Sequence, residues 1–235
     1  MRLLDLYCCE GGSATGYANA GFDVVGVDIA PQRRYPFEFH QGDAIDYLLE
    51  HGREFDAIHA SPPCQAYSIT KHSHSKEHPD LLEPTRRALQ QIGKPYIIEN
   101  VEGAPLIDPL LLCGTMFGLR AVDVDGVPLA LQRHRLFESN VWLMSAGGCA
   151  HDHTQVAGVY GGSRHTKPED RDNPGRRGGY TPATSIRADL MGMPWASQYG
   201  LSQAIPPAYT EFLGGQLMRH LTSAASVETL AGRAA

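Results

Sequence analysis

The chain has 235 residues, a formal net charge of −6, and 42% hydrophobic and 20% charged residues, a balance typical of one globular domain with a sizeable core. The absence of any run of about 18 apolar residues excludes a membrane-spanning helix, and the early glycines exclude a signal peptide, so we expect a cytoplasmic protein. Five cysteines at irregular spacing favour reduced thiols over a disulfide framework, and the acidic charge requires any nucleic-acid contact to use a local basic face.

The first hundred residues alternate between strand and helix patterns. Apolar runs and helical spacing predict, in chain order, a strand over 2–7, a helix over 13–20, a strand over 23–28, a helix over 43–51, a strand over 55–60, a helix over 80–92 and a strand over 95–100. This alternation predicts an α/β fold with a doubly wound, mostly parallel sheet of the Rossmann type.

The second half of the chain is less regular. Residues 145–180 are rich in Gly, His, Arg and Asp and predict loops, whereas regular patterning returns near Thr184 and predicts a last helix over 208–221. We therefore expect a catalytic domain made of residues 1–140 and 181–222, a small irregular insertion of residues 141–180, and a flexible tail of residues 223–235.

Polar residues recur where the predicted strands end, namely Cys8 to Gly12, Asp28, Asp43, Cys64, Glu99 and Asn100. In open α/β sheets, ligands bind beyond the carboxyl ends of the strands. One polar strand end would mean little, but several in the same sheet predict a functional site.

A glycine-rich turn and two acids indicate what this site binds. Gly11, Gly12 and Gly16 would let the backbone approach a ligand closely, Asp28 could accept hydrogen bonds from ribose hydroxyls, and Asp43 could accept one from an adenine amino group. A tight turn with acidic helix caps is the alternative. The three features together favour a nucleoside-containing cofactor, and the absence of a GxxxxGK[ST] motif argues against a P-loop.

Cys64 follows two prolines directly after a predicted buried strand, in the segment Ser61-Pro62-Pro63-Cys64-Gln65. The prolines restrict the backbone and would hold the cysteine rigidly at the edge of the sheet. A buried, inert cysteine is the common alternative for a single Cys. Position and rigidity here favour a reactive thiolate.

These features fall into an ordered series that resembles the DNA (cytosine-5)-methyltransferases, in particular compact members of phage or prophage type. The matching segments are Asp5 to Gly16, Asp28, Gly42-Asp43, Pro63-Cys64-Gln65, Glu99-Asn100-Val101, Arg133-His134-Arg135, and residues 203–207 (QAIPP). The resemblance covers most of the chain outside residues 140–180, and the order of the segments makes it specific.

The resemblance implies an enzyme that uses S-adenosyl-L-methionine and a flipped cytosine in double-stranded DNA. Its implied catalytic residues are Cys64 as the nucleophile, with Glu99, Asn100, Arg133 and Arg135 around the base. The implied cofactor-binding residues are Asp5, Tyr7, Gly11, Gly12, Asp28, Ile29, Asp43, Ala44 and Pro63. The expected DNA-contacting residues are Gln65, Ser68, Arg164, Lys167, Arg171, Arg176 and Arg177, and for the last five a solvated linker is the alternative.

The sequence also departs from the family. Cys9 and Glu10 stand where the family has glycine and usually a small residue, the ribose acid is Asp28 rather than glutamate, and Leu131 replaces a glutamine before the arginines. Cys149, His151 and His153 could suggest a metal, but their spacing is unlike common zinc motifs and we found no partner pair, so we expect no metal. Cys113 lies in an apolar run and is expected in the core.

Four alternatives stay open from the sequence. These are a cytosine-5 methyltransferase acting on transfer RNA, an amino-methyltransferase, a catalytically inactive DNA-binding or protective protein, and transfer of a group other than methyl. An amino-methyltransferase would have an aromatic residue where Cys64 stands. We expect a monomer whose role is either protection against a cognate restriction endonuclease or evasion of host defence.

Overall fold

The computed structural model describes residues 1–63, 80–160, 165–171 and 180–232, with side chains of the last helix as far as residue 223. Its strands are β1 (Arg2–Leu6), β2 (Asp23–Asp28), β3 (Glu38–Gln41), β4 (Ala57–Ala60), β5 (Tyr96–Asn100), β6 (Leu110–Leu112), β7 (Arg120–Val122), β8 (Pro128–Ala130), β9 (Arg135–Ser139) and β10 (Gln155–Val156). Its α-helices are α1 (Gly12–Asn19), α2 (Ala44–His51), α3 (Leu82–Ile92), α4 (Thr184–Met191), α5 (Gln198–Gln203) and α6 (Pro207–Gly232).

Seven strands form one sheet in the order β3-β2-β1-β4-β5-β9-β6. The strands from β3 to β5 pair in parallel, and β9 pairs antiparallel with both β5 and β6. The predicted doubly wound, mostly parallel sheet is therefore confirmed.

Helices cover both faces of the sheet, which explains why its central strands are apolar at nearly every position. On one face, Leu4 and Leu6 of β1 pack in a core shared with α2 and α3. On the other face, Leu3 belongs to a core with Tyr17 of α1 and Tyr209 of α6. Because successive strand residues point to opposite faces, a continuous apolar run is what a strand buried on both sides requires.

A second, three-stranded sheet lies in the order β10-β8-β7 and has its own apolar core. That core joins Leu129 of β8 and Val159 to Leu190 of α4 and Leu201 of α5. The predicted insertion of residues 141–180 therefore has different boundaries. Segments before residue 141 and after residue 180 belong to the same packed unit, because none of them could bury its apolar side chains alone.

Two elements differ from the predictions for a local reason. Strand β3 was missed because it is a short edge strand of mostly polar residues, EFHQ, which carries little apolar periodicity. Helix α6 extends beyond the predicted end at residue 221 and continues to Gly232, so most of the expected tail is helical. Within the described residues, no helix is long and apolar enough to cross a membrane.

Candidate active site

The site lies where β1, β2, β4 and β5 end, at one edge of the parallel sheet. The loop after β1 is held there because the Cys8 amide donates to the Val27 carbonyl at 3.2 Å and the Cys9 amide to the Asp28 carboxylate at 3.0 Å. The Ser61 amide after β4 donates to the Leu6 carbonyl at 3.2 Å. These bonds bring the predicted strand ends together.

The turn after β1 has an unusual backbone. Tyr7, Cys9 and Gly11 have φ angles of 60°, 45° and 82°, in the region that glycine adopts most readily. Cys9 therefore carries backbone strain at the position where the resemblance implied glycine. The hydrogen bond from its amide to Asp28 helps to hold this conformation.

Glu10 points away from the site, toward the segment that follows α4. Its carboxylate accepts hydrogen bonds from the Ser197 amide and hydroxyl, both at 2.6 Å, and its carbonyl accepts one from the Trp195 indole at 2.8 Å. Ser197 is the N-cap of α5. The departure at Glu10 therefore ties the glycine turn to the start of α5.

The glycines of the turn permit close packing of protein against protein. A Cβ atom on Gly12 would clash with the Ile205 carbonyl, and one on Gly16 would clash with the Pro207 carbonyl. A Cβ on Gly11 would lie 2.7 Å from Pro36. The glycine pattern predicted close approach of a ligand, whereas in the structure Gly12 and Gly16 let residues 204–207 and α6 pack beside the turn.

Asp5, an expected cofactor residue, has a different role in the structure. Its side chain is fully buried, and both carboxylate oxygens accept from the Ser13 hydroxyl, at 3.0 and 2.8 Å. Burial raises the pKa of Asp5 to about 7, an effect that the Ser13 hydrogen bond partly offsets. A side chain without accessible surface cannot touch a ligand, so Asp5 supports the turn from below.

Most of the other expected cofactor residues lie at the edge of the parallel sheet where its strands end. Asp28 accepts hydrogen bonds from the amides of Cys9 and Ala30, both at 3.0 Å, one on each oxygen, and Ile29 beside it is 70% exposed. Asp43 caps α2 by accepting from the Ile45 and Asp46 amides, and Ala44 is the buried first residue of that helix.

Tyr7 and Pro63 complete this expected set. The Tyr7 hydroxyl lies 2.8 Å from the Thr85 hydroxyl of α3, and its ring packs against the core of that face. Pro63 is half-buried and follows β4. Tyr7 thus secures the turn to α3, while Pro63 lies where the chain reaches the predicted nucleophile.

Glu99 lies at the end of β5, where burial raises the pKa of its carboxyl group despite the neighbouring guanidinium groups of Arg135 and Arg133. Its Oε1 atom is 2.9 Å from Nε of Arg135, yet it accepts no well-aligned hydrogen bond. This is an ion pair whose donor does not point at the oxygen. Glu99 therefore keeps one buried acceptor atom for a further partner.

A hydrogen-bonded chain that sequence reasoning missed leads to Glu99. His59 of β4 is fully buried, with Nδ1 3.0 Å from the Tyr17 hydroxyl and Nε2 2.9 Å from the Ser61 hydroxyl, and Ser61 hydrogen bonds to Glu99. Burial lowers the pKa of His59 to about 3, so the ring is neutral. The histidine in the otherwise apolar run of β4 was the signal for this chain.

Asn100 holds the segment that precedes Cys64. Its buried side-chain amide donates to the Pro62 carbonyl at 3.0 Å, and its side-chain oxygen accepts from the Val101 amide at 2.9 Å. The Asn100 side chain therefore ties the end of β5 to the double proline.

Arg133 and Arg135 do not share a role. Strand β9 begins at Arg135, and Arg133 precedes it with a buried side chain that donates to the carbonyls of Val159 and Ser202, at 2.8 and 2.7 Å. The resemblance implied that both arginines lie around the base, whereas two nitrogens of Arg133 donate to these carbonyls and only its Nε has no hydrogen-bond partner. Its guanidinium is committed to holding the second sheet unit against α5.

Two of the expected DNA-contacting residues, Lys167 and Arg171, lie within the described residues, and their side chains differ in exposure. The Lys167 side chain is 71% exposed, whereas the Arg171 side chain is 10% exposed and lies against Asp123, Asp125 and the Tyr180 ring. Arg171 neutralises these acids and is not available to DNA in this arrangement, contrary to the expectation. The remaining predicted residues, Cys64, Gln65, Ser68, Arg164, Arg176 and Arg177, lie outside the described residues.

Comparisons with known proteins concern the fold. No family model matches the chain, and no curated protein matches it in sequence. Among solved structures, it is similar to a protein described as a DNA modification methyltransferase encoded within an E. coli prophage, with a TM-score of 0.58 and 14% identity over 95% of this chain and 99% of that one.

Two further solved structures are similar over the same length. The S. pombe Dnmt2 methyltransferase has a TM-score of 0.59 and 13% identity over 94% of this chain and 99% of that one. A mutant of Spodoptera frugiperda DNMT2 has a TM-score of 0.57 and 13% identity over 92% of this chain and 99% of that one. The chain therefore has the Rossmann-like fold of these methyltransferases.

Proposed function

We propose that this protein transfers a methyl group from S-adenosylmethionine to C5 of cytosine in DNA, with Cys64 as the covalent nucleophile. The observation that carries the proposal is the buried Glu99, which lies beside Arg135 with one acceptor atom uncommitted. Next to it, Asn100 anchors the proline pair that leads directly into Cys64.

The edge of the sheet fits a nucleoside-containing cofactor. Each oxygen of Asp28 accepts one backbone amide and keeps a second lone pair for a ribose hydroxyl. The exposed Ile29 side chain offers an apolar surface for an adenine ring. Both Asp43 bonds are made by one oxygen, so the other retains acceptor capacity for an amino group. S-adenosylmethionine would supply the electrophilic methyl group there.

Cysteine attack on the ring makes the chemistry possible. C5 of cytosine is a poor nucleophile, and a bond from the Cys64 sulfur to C6 turns the ring into an enamine whose C5 is reactive. Negative charge then develops toward N3 and O2. Glu99, with its raised pKa, can hold a proton toward N3, and Arg135 can stabilise the charge at O2. C5 would then take the methyl group, whose bond to the sulfur of the donor breaks, and removal of the C5 proton by a base would release the Cys64 thiolate by breaking the bond between C6 and its sulfur.

The His59 and Ser61 chain helps Glu99 in this role. If Tyr17 donates to His59 and His59 donates to Ser61, the Ser61 hydroxyl is oriented to donate to one oxygen of Glu99. The other oxygen is then free to meet the base. In this arrangement the neutral His59 orients the carboxyl group and does not itself exchange a proton with substrate.

DNA must present the cytosine outside the duplex, because C6 is hidden in a stacked pair. The net charge of −6 means that phosphates are met by a local set of cations. Lys167, together with Arg164, Arg176 and Arg177, would form this set, with Gln65 and Ser68 next to the flipped base. Such a small set suits a short recognition site.

The test uses radiolabelled S-adenosylmethionine and a duplex in which 5-fluorocytosine replaces cytosine. Fluorine at C5 cannot leave as a proton, so the enzyme should become trapped on the DNA as a labelled complex that survives denaturation. The Cys64→Ala variant should form no complex. An unmodified duplex should be labelled by the wild-type protein without trapping.

Other outcomes identify the rival functions. Label on ordinary DNA without trapping on the fluorinated duplex would overturn the covalent mechanism and indicate an amino-methyltransferase. Trapping only on fluorinated transfer RNA would move the substrate from DNA to RNA. A protein that binds S-adenosylmethionine but labels neither nucleic acid would contradict the proposed activity.

A further inference from the structure

Two cysteines and two histidines meet at the start of β9, outside the residues used for the proposed chemistry. Cys113 directly follows β6, His134 directly precedes β9, and Cys149 and His151 lie in the loop that leaves β9. The two sulfurs and one nitrogen of each histidine all lie within 4.8 Å of one another. Residues far apart in sequence therefore offer four metal-ligating atoms at one point.

The separations match those of a tetrahedral zinc site. Nε2 of His134 is 3.3 Å from Nε2 of His151 and 3.6 Å from Sγ of Cys149, while Sγ of Cys113 is 3.3 Å from Nε2 of His151. Zinc bonds of about 2.3 Å to sulfur and about 2.0–2.1 Å to nitrogen place two nitrogens about 3.3 Å apart and sulfur and nitrogen about 3.6 Å apart.

A second observation fixes which nitrogen of His134 is available. Its Nδ1 lies 3.1 Å from the Glu102 carboxylate, which accepts hydrogen bonds, so Nδ1 carries the proton. Nε2 is then a bare lone pair facing the other three atoms. A carboxylate behind a histidine is the usual outer support of a metal-bound imidazole.

Stacking of the His134 and His151 rings, whose centroids are 5.1 Å apart, accounts for only part of this convergence, because it does not bring the two sulfurs to the same point. Cys149 and His151 are exposed, and no helix or strand forms in residues 141–154, all of which the structure describes. Two imidazole nitrogens at 3.3 Å can share one proton. A shared proton would explain why the two histidines are close, but it would not explain why both cysteine sulfurs lie beside them. A disulfide between Cys113 and Cys149 would leave both histidines without a reason to face the sulfurs.

We propose that Cys113, His134, Cys149 and His151 bind one structural Zn²⁺ ion. Four protein ligands close the coordination sphere, which distinguishes a structural site from a catalytic one with an open position. The sequence alone shows no partner pair for Cys149 and His151 and therefore predicted no metal. Cys113 and His134 are that pair, and His153 is not part of the cluster.

The ion would fasten the exposed loop to the edge that carries the proposed active site. Thr115 already links the two sides, because its hydroxyl lies 3.2 Å from the Cys113 sulfur and accepts from the Ala150 amide at 3.1 Å. Arg135 donates to the backbone carbonyl of His134 at 2.7 Å. Fixing His134 would therefore also fix the arginine that pairs with Glu99.

The test measures the metal content of the whole chain by inductively coupled plasma mass spectrometry. The bound zinc is then replaced with Co²⁺. We expect one zinc per chain and, with cobalt, the visible absorption of a tetrahedral site with thiolate ligands. Cys149→Ser and His151→Gln should each weaken zinc binding by more than about 100-fold, because loss of an outer-shell partner alone costs about 10–100-fold. Glu102→Gln should show that smaller, intermediate loss.

His153→Gln is the matched control, since it removes a histidine two positions from His151 and outside the cluster. It should bind zinc as the wild-type protein does. Circular dichroism of each variant separates loss of the metal from loss of the fold. A wild-type protein that binds neither Zn²⁺ nor Co²⁺, a Cys149→Ser variant with unchanged affinity, or a Cys113–Cys149 disulfide in protein purified under reducing conditions would overturn the proposal.

Discussion

Two side-chain clusters meet at the start of β9 and are positioned by different means. Arg135 belongs to the proposed catalytic cluster with Glu99, and the adjacent His134 belongs to the cysteine and histidine cluster. Glu99 and Arg135 lie on neighbouring strands, whose register pairs Glu99 with Phe137. Two of the four metal-ligating residues lie instead in a loop without regular structure.

The difference shows what a sheet provides and what it does not. Backbone hydrogen bonds between β5 and β9 determine the position of Glu99 without help from side-chain contacts. The loop of Cys149 and His151 has only scattered ties, such as the Met144 amide to Gln216 at 2.7 Å and the Asp152 carboxylate to Arg120 at 2.6 Å. A bound ion would supply the rigidity that strands give the other cluster.

The largest effect that should separate the clusters is loss of the Glu99 carboxyl group. Glu99→Gln keeps the size of the side chain but cannot hold or share a proton, so the single-turnover rate of methyl transfer should fall by about 10²–10⁴-fold. Zinc content should not change. Glu50→Gln, on an exposed position of α2, is the control, and an unchanged rate in Glu99→Gln would contradict the assigned role.

The next effect concerns Asp5 and the support of the glycine turn. Burial raises the pKa of Asp5 from its ordinary value of 3.8 to about 7, so the folded protein binds this proton more tightly than the unfolded chain. Its contribution to stability is complete below about pH 4 and is lost as the pH rises to about 7, a loss of about 4 kcal/mol.

Asp5→Asn removes this ionisation with little change of shape. The free energy of unfolding of each protein is measured in urea at a series of pH values. As the pH rises from about 4 to about 7, the value for the variant should increase relative to that for the wild-type protein. Parallel pH profiles for the two proteins would show that Asp5 does not titrate in this range.

A smaller effect tests how tightly α1 packs against the start of α6. Gly16→Ala would push a Cβ atom into the Pro207 carbonyl, and we expect a loss of about 2 kcal/mol, after a gain of up to ~1 kcal/mol in helix propensity is subtracted from ~3 kcal/mol of overpacking. Gly42→Ala, where a Cβ meets nothing within 4 Å, should change stability by less than about 0.5 kcal/mol. Equal denaturant midpoints for both variants would refute this account.

The smallest expected effect separates the two clusters most directly. Removal of zinc with a chelator should raise the rate of proteolytic cleavage within residues 141–156 by about 10-fold, which corresponds to about 1.4 kcal/mol of local stability, and leave β1, β4 and β5 protected from hydrogen exchange. The His153→Gln protein should respond in the same way. Equal cleavage with and without metal would mean that the loop owes its shape to the protein alone.

Strand ends explain how much of the site could be predicted. Asp28, Glu99 and Asn100 were assigned correctly to one edge, because parallel strands end together and each residue directly terminates an apolar run. Strand ends do not determine where the Arg133 side chain lies, because β9 begins only at Arg135.

The sequence by itself determined the doubly wound sheet, the order of its predicted elements and the identity of the residues at their ends, because these depend on local periodicity. Only the tertiary structure decided that Gly12 and Gly16 pack against the backbone of residues 205 and 207, that Glu10 binds the N-cap residue of α5, and that Arg171 pairs with the buried Asp123 and the exposed Asp125. It also brought Cys113 beside Cys149 and His151. Contacts between residues far apart in sequence leave no periodic trace, so their partners become evident only when the chain is folded.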